Sequence, residues 1–299
     1  MKSKTAIIIC GPTAVGKTSF AIEVAKYFNT EIISFDSRQC FKELNIGVAK
    51  PTQQQLQEVQ HHFINSHSIQ DKITAVSFEK LAIEKCNEIL AKKDLVVLVG
   101  GTGLYMKTFC EGLDKIPSID RSIRESILEH YKNFGIEWLQ NQIKTIDPIF
   151  WKDAEQQNPQ RLMRALEVIQ ATGHSIVSFR NSIKKERSFR IIKIGLELER
   201  KKLVERIHQR VDEMCKEGLL NEVKELLEYQ NLNALQTVGY KELFDYLNKK
   251  TTLEKAKENI KINTRHYAKR QMTWFKKDKE VHWLNTENIS IQQIKKLLN

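Results

Sequence analysis

Eight residues near the start of the chain, GPTAVGKT from Gly11 to Thr18, constrain its fold more than any other stretch. They fit the spacing G-x-x-x-x-G-K-[ST] and follow an uninterrupted apolar run, TAIIIC (Thr5–Cys10). The next residues, Lys17 to Phe28, place Phe20, Val24 and Phe28 on one stripe at a spacing of four, the pattern of a helix packed on one side. Strand, glycine-bearing loop and helix in that order form a phosphate-binding loop. Its backbone N–H groups and the helix N-terminus converge on an anion, Lys17 adds a point charge, and Thr18 offers a hydroxyl to Mg²⁺.

Further strands are expected at EIISF (Glu31–Phe35), LVVLV (Leu95–Val99), IIKIGLEL (Ile191–Leu198) and a short VHWL near the end. Runs without polar interruption suit parallel strands covered on both faces, and their alternation with helices gives the fold class: α/β, a P-loop NTPase-like parallel sheet flanked by helices. In such sheets ligands sit at the carboxyl ends of the strands. The segments DSRQ (Asp36–Gln39) and GGTGLY (Gly100–Tyr105) leave two of those ends, so both are expected to face the loop.

A nucleotide hydrolase of this class usually carries an aspartate at the end of a second apolar strand to help hold the metal. Here LVVLV runs into Gly100, Gly101 and Thr102 instead. The two glycines read as permitting close backbone approach to a ligand, with Thr102 offering a hydroxyl. Asp36 is then the nearest carboxylate, able to reach Mg²⁺ through water or to accept a proton; a turn-capping aspartate is the plainer reading. Ser37, Arg38 and Gln39 beside it are types that hydrogen-bond base edges and phosphates.

From about Leu113 the pattern becomes purely helical. Pro117, Ser118 and Asp120 punctuate one start, Asn158 and Pro159 another, and Gly173 a stop. An all-helical insertion is expected over residues 114–188, set into a core of residues 1–113 plus 189–299. Helices near 203–214 and 219–229, a long one over about 252–277 and a terminal one complete the core.

No apolar run reaches the 18 or more residues that would span a bilayer, and the short N-terminal lead into the first strand leaves no room for a signal peptide, so a cytoplasmic, non-membrane protein is expected. The five cysteines are scattered without a C-x-x-C pair, which argues against disulfides and a cysteine zinc site. Adjacent His61 and His62 read more readily as a polar pair at an element boundary than as metal ligands. Net charge is +11, and residues 251–299 hold 11 Lys and Arg against 5 Asp and Glu, so about half the excess is concentrated there. A concentrated basic segment suits a polyanion. Within it RHYAKRQMTWFKK sets Arg265, Lys269 and Arg270 beside Tyr267, Trp274 and Phe275, a mixture fit for phosphate contact and base stacking or, alternatively, for an ordinary amphipathic helix.

Taken together, GPTAVGKT, DSRQCF with NIGVAKP, GGTGLYMKTFCEGL, NPQRLMRALEV, TVGYKEL and RHYAKRQMTWF resemble, in order and over nearly the whole chain, the bacterial tRNA dimethylallyltransferases (tRNA isopentenyltransferases). Val15 departs from the Ser of many relatives, without expected loss of function because backbone amides do most of the binding. The zinc-finger extension of eukaryotic relatives is not expected. The resemblance implies transfer of a dimethylallyl group from dimethylallyl diphosphate to the exocyclic amine of the adenosine just 3′ of the anticodon, in tRNAs reading U-initial codons, with release of pyrophosphate.

By that resemblance Gly11, Pro12, Thr13, Ala14, Val15, Gly16, Lys17 and Thr18 form the diphosphate site, and Asp36, Thr102 and Lys17 carry the chemistry. Contacts to the tRNA anticodon stem-loop fall to Asp36, Ser37, Arg38, Gln39, Thr102, Arg124, Gln160, Arg161, Leu162, Met163, Arg164, Lys269, Arg270, Gln271 and Trp274. The insertion, with Arg121 also present, would grip the tRNA. The expected cofactor is Mg²⁺ with Thr18 as its one assigned ligand, and the expected state is a monomer. The alternative is a P-loop small-molecule kinase using ATP and Mg²⁺, which leaves the basic-aromatic helix and NPQRLMRAL without a role.

Overall fold

The computed structural model describes residues 4–180 and 184–298. Residues 181–183, inside the expected insertion, lie outside that range. The chain divides into two compact units, Met1–Cys110 with Glu186–Asn299 and Glu111–Lys185.

In the first unit β1 (Thr5–Cys10), α1 (Lys17–Tyr27), β2 (Ile32–Ser34), α2 (Gln53–Glu58), β3 (His61–His62), α3 (Ala75–Lys92), β4 (Leu95–Val99) and α4 (Gly103–Glu111) follow one another, α4 ending at the unit boundary. The second unit consists of α5 (Arg121–Ile146), α6 (Pro148–Asp153) and α7 (Pro159–Thr172), with a short 3₁₀ turn at Ile176–Phe179. The chain then returns to the first unit through β5 (Arg190–Glu197), α8 (Arg200–Lys216), α9 (Leu219–Glu225), α10 (Tyr240–Leu247), α11 (Leu253–Phe275), β6 (Val281–Asn285) and α12 (Ile291–Leu298).

Six parallel strands form one sheet in the order β3-β2-β4-β1-β5-β6. Strand β1 is central, with Ile7 opposite Val97 on one side and Ile192 on the other. Every residue of β1 and β4 is buried, which explains why neither shows polar alternation. Side chains nevertheless alternate between two cores. Ala6, Ile8 and Cys10 pack with Phe78 of α3 and Phe109 of α4, whereas Ile7 and Ile9 pack with Val24 and Ala25 of α1. Each such aliphatic side chain contributes about 1.5–3 kcal/mol when withdrawn from water.

The strand β3 was not expected. It is two residues long and at the sheet edge, too short to register as a pattern. Its presence explains the histidine pair: His61 points inward with Nδ1 2.8 Å from the Val59 carbonyl, and His62 Nε2 meets Glu31 Oε2 at 2.6 Å.

Helix ends follow local sequence. Thr74 and Ser77 form a reciprocal capping box at α3, and Thr252 accepts from Lys255 N at 3.2 Å at the start of α11. In the helical unit Asp120 caps α5, Asn158 caps α7 with Pro159 in its first turn, and Gly173 closes α7 at φ 73°. Gly135 breaks α5 with φ 71°, ψ −164°. This unit has its own core, centred on Leu139, Ile143, Leu162 and Leu166. Among the described residues no helix is long and apolar enough to cross a membrane.

Candidate active site

The two glycines of the phosphate-binding loop are required for different reasons. Gly11 adopts φ 145° against β5, and a Cβ there would stand 2.6 Å from the Leu196 carbonyl oxygen. Gly16 adopts φ 104° in open space and turns the chain into α1. Gly11 is therefore fixed by packing and Gly16 by its left-handed backbone.

At the loop lies a cavity of about 230 Å³, lined among others by Thr13, Ala14, Gly16, Lys17, Thr18, Asp36, Lys50 and Arg210. Ser19 also reaches it, while Gly11, Pro12 and Val15 do not line it and shape the loop from beneath. Lys17 Nζ donates to the Pro12 carbonyl at 2.7 Å. Burial draws its pKa down to about 8, Asp36 opposes that fall, and the Arg210 guanidinium adds to it. The ammonium is thus held by one carbonyl, with the Asp36 carboxylate favouring its charge against the cost of burial.

Two further cations escaped the sequence reading. Arg206 and Arg210, four residues apart on one face of α8, reach Val15 O and Thr13 Oγ1 respectively, each at 3.4 Å. Burial lowers the pKa of Arg210. The R-x-x-x-R spacing in ERIHQRV was the available signal, but nothing in it tells which way that helix face points.

Asp36 closes a turn at the end of β2. Its Oδ1 accepts from Arg38 N at 2.9 Å and Gln39 N at 3.4 Å, so the plainer, turn-capping reading holds for that oxygen. Among the described residues Oδ2 accepts no hydrogen bond. The carboxylate also borders a second, larger cavity of about 660 Å³, whose walls include Arg38, Val48, Ala49, Tyr267 and Arg270. Thr102 accepts from Ser37 N at 3.0 Å, with its hydroxyl 3.3 Å from Ser37 Oγ, locking the second strand-end segment to the first.

The structure gives Gly100 and Gly101 a further reason to be glycine, the close approach of neighbouring chain segments, while Gly100 itself borders the 230 Å³ cavity. A Cβ on Gly100 would lie 2.6 Å from Phe35, and one on Gly101 would lie 2.3 Å from Gln271 Nε2. Gly103 continues the pattern, its Cβ position being 2.2 Å from the Trp274 ring. These glycines admit neighbouring chain segments, chiefly α11.

That contact also sorts the residues expected on α11. Gln271 is only 6% exposed: its Oε1 accepts from Thr13 N at 2.8 Å and its Nε2 donates to Gly101 O at 2.9 Å. It is a tie between the loop and the β4 end. Lys269 and Arg270 are exposed, Trp274 is 36% exposed, and Arg270 lies over the Tyr267 ring at 5.8 Å.

In the helical unit Arg124 and Arg164 converge on the buried carboxylate of Glu167 at 3.3 and 3.0 Å, and Arg161 pairs with Glu155 at 2.8 Å. Gln160 is exposed. Leu162 and Met163 do not belong to a contact surface: both are buried in the core of their own unit, because their positions on α7 face inward. Among the described residues no group of three or more His, Cys, Asp or Glu could hold a metal ion.

The family model described as IPP transferase matches residues 39–278. A protein named tRNA dimethylallyltransferase from Christiangramia forsetii is 49% identical over 95% of this chain and 95% of its own length. Another of that name, from Flavobacterium johnsoniae, is 44% identical over 94% and 93%. The crystal structure of the full-length tRNA isopentenylpyrophosphate transferase of Bacillus halodurans superimposes with a TM-score of 0.71 at 35% identity, covering 99% of this chain and 95% of that one. A eukaryotic dimethylallyltransferase whose structures capture it acting on tRNA gives a TM-score of 0.79 at 28% identity, over 95% and 74% of the two chains. Because the family model spans most of the chain and the Christiangramia and Flavobacterium relatives match 94–95% of it at 44–49% identity, the chain belongs to the IPP transferase family, alongside the tRNA dimethylallyltransferases.

Proposed function

We propose that this chain transfers a dimethylallyl group from dimethylallyl diphosphate to the exocyclic amine of the adenosine 3′ to the anticodon of tRNA, releasing pyrophosphate. The observation that carries the reading is that Lys17 and Asp36 line one 230 Å³ cavity, and that Asp36 also borders a larger one. Cleavage of the allylic C–O bond leaves negative charge on the diphosphate, where Lys17, Arg210 and the loop amides receive it. The amine forms its bond to the allyl carbon and loses a proton, which passes to Asp36 Oδ2. The adenine must leave its stack to reach that oxygen, at a cost of a few kcal/mol. Lys269, Arg270 and Trp274 on the exposed face of α11, with Arg124, Arg161 and Arg164 in the helical unit, offset the cost through phosphate contacts and stacking.

Mg²⁺ fits this site only as a partly protein-bound ion. Thr18 and Asp36 both line the cavity and would hold the ion, Thr18 through its hydroxyl and Asp36 through its carboxylate directly or by way of water, with substrate oxygens and water as the further ligands this ion commonly accepts. Bound there it supplies further charge stabilisation to the leaving group.

Incubating the protein with unmodified tRNA and labelled dimethylallyl diphosphate, in parallel with ATP and candidate small acceptors, tests the proposal. Label appearing in tRNA without ATP is expected. ATP-dependent phosphorylation of a small acceptor, with tRNA unlabelled, would establish the kinase reading instead.

A further inference from the structure

Glu222, on α9 and outside every segment assigned to substrate, holds an unusual set of partners. Its Oε2 accepts from Asn45 N at 3.1 Å and Ile46 N at 2.8 Å, and its Oε1 accepts from Gly47 N at 3.1 Å and from the Tyr240 hydroxyl at 2.6 Å. Three consecutive backbone amides and a buried phenol thus converge on one carboxylate. The ring of Tyr240 also backs the loop from beneath, since a Cβ at Gly47 would stand 2.5 Å from it.

The anchored segment continues directly into a cavity wall. Val48 and Ala49, the next two residues, border both cavities together with Asp36. Their carbonyls accept from the Gln39 side-chain amide at 3.2 and 3.0 Å, and Gln39 N in turn donates to Asp36 Oδ1. Ala49 holds a left-handed φ of 48°, closed by its N–H on Ile46 O at 3.0 Å, so the wall is strained backbone that stays in place only while its surroundings fix it.

We propose that Glu222 is a positioning residue for the transfer reaction: it anchors the 45–47 amides so that Val48 and Ala49 hold Gln39, and Gln39 holds the Asp36 turn. The inference rests on the reading of Asp36 as the proton acceptor. Glu222 touches neither Lys17 nor Arg210, so its effect falls chiefly on the chemical step, and less on diphosphate binding, where Val48, Ala49 and Lys50 also line the smaller cavity.

In Glu222→Gln an amide NH₂ replaces one acceptor oxygen and faces N–H and O–H donors, so part of the set is lost. Tyr240→Phe removes the phenol bond alone and keeps the ring behind Gly47. The experiment measures the single-turnover rate constant with saturating tRNA and dimethylallyl diphosphate, because that constant does not depend on the folded fraction, together with pyrophosphate affinity and hydrogen exchange of amides 45–49. Expected for Glu222→Gln is a fall of about tenfold or more in the rate constant, the scale on which small misplacements of a reacting group act. Pyrophosphate affinity should fall by clearly less than the rate constant and exchange at 45–49 should rise; Glu222→Asp should recover part of the rate and Tyr240→Phe should show a smaller loss. An unchanged rate constant with faster exchange would overturn the proposal, as would unchanged exchange. If the unsubstituted protein transfers nothing to tRNA, the underlying functional reading fails instead, and the two failures are distinct.

Discussion

The backbone amide of Thr13 donates to the side-chain oxygen of Gln271 at 2.8 Å, joining the phosphate-binding loop to a helix that follows 258 residues later. The same side chain donates to Gly101 O, so one amide group spans two strand-end segments. Replacing it with leucine removes both bonds at similar volume and leaves a part-buried N–H and a buried C=O unpaired, the latter costing about 1–3 kcal/mol and the former less. Gln271→Leu should therefore lower the urea midpoint with an unchanged slope. Pyrophosphate affinity should fall with it, because the loop loses its outer tether. A variant as stable as the parent would mean that water replaces both bonds.

The loop glycines predict a ranking. Gly11→Ala drives a Cβ against the Leu196 carbonyl, part of the interior strand β5, which cannot move aside without disturbing the sheet. Gly16→Ala meets open space and incurs only the left-handed backbone penalty of about 1–2 kcal/mol. Thermal unfolding should show Gly11→Ala as clearly the less stable. The reverse order would show that β5 yields more easily than the turn into α1.

Lys17 gives a pH dependence whose sign is fixed. Its pKa in the folded protein is lowered to about 8 from an ordinary 10.5, so between those values the unfolded chain binds the additional proton and stability rises with pH. Below about pH 8 the charged ammonium is present in both states and its desolvation cost is carried in full. An anion on the loop favours the protonated form, so pyrophosphate affinity should decline as pH rises above about 8, by at most tenfold per unit. Calorimetric titrations from pH 7 to pH 9.5 test this on the about-8 pKa, with Lys17→Met as the control whose affinity is lower and whose profile loses that component. A parent profile parallel to the control would remove Lys17 from anion binding.

How far the sequence carried this site depends on the distance over which each cause acts. The loop, the strands β1 and β4 and the caps at Asp120, Asn158 and Gly173 were legible because they are set by neighbours within a few residues. The crowding at Gly100 and Gly101 was not legible, since it comes from Phe35 and, across 170 residues, from Gln271. Leu162 and Met163 were carried into a contact surface with their motif, although the apolar stripe of α7 already pointed them inward. Arg206 and Arg210 went unnoticed for a related reason: a helix facing the loop and one facing water show the same R-x-x-x-R spacing until the packing of α8 is known. The edge strand β3 was hidden by its brevity.

Asp36 and Arg210 border the same cavity and should separate in kinetics. Asp36→Asn keeps the Oδ1 acceptor and the turn while removing the proton acceptor, so tRNA and pyrophosphate should still bind and the single-turnover rate should fall by about 10²–10⁴. Arg210→Ala should instead raise the KM for the diphosphate substrate before it lowers the rate at saturation. Equal behaviour of the two variants would contradict the division of roles between proton transfer and leaving-group charge.

Lys269 and Arg270 are exposed on α11 beside the half-open Trp274. If they meet phosphate, each contact contributes to the slope of log affinity against log salt, about 0.7–0.9 per phosphate neutralised. Lys269→Ala and Arg270→Ala should each weaken tRNA binding and flatten that slope by very roughly one unit or less. Trp274→Ala should weaken binding with the slope preserved, because stacking on a base releases no counterion. Filter binding between low and moderate salt resolves the two classes. A Trp274 variant that flattens the slope as much as Arg270→Ala would show that its loss displaces the basic residues, and would move the stacking contact elsewhere on the protein.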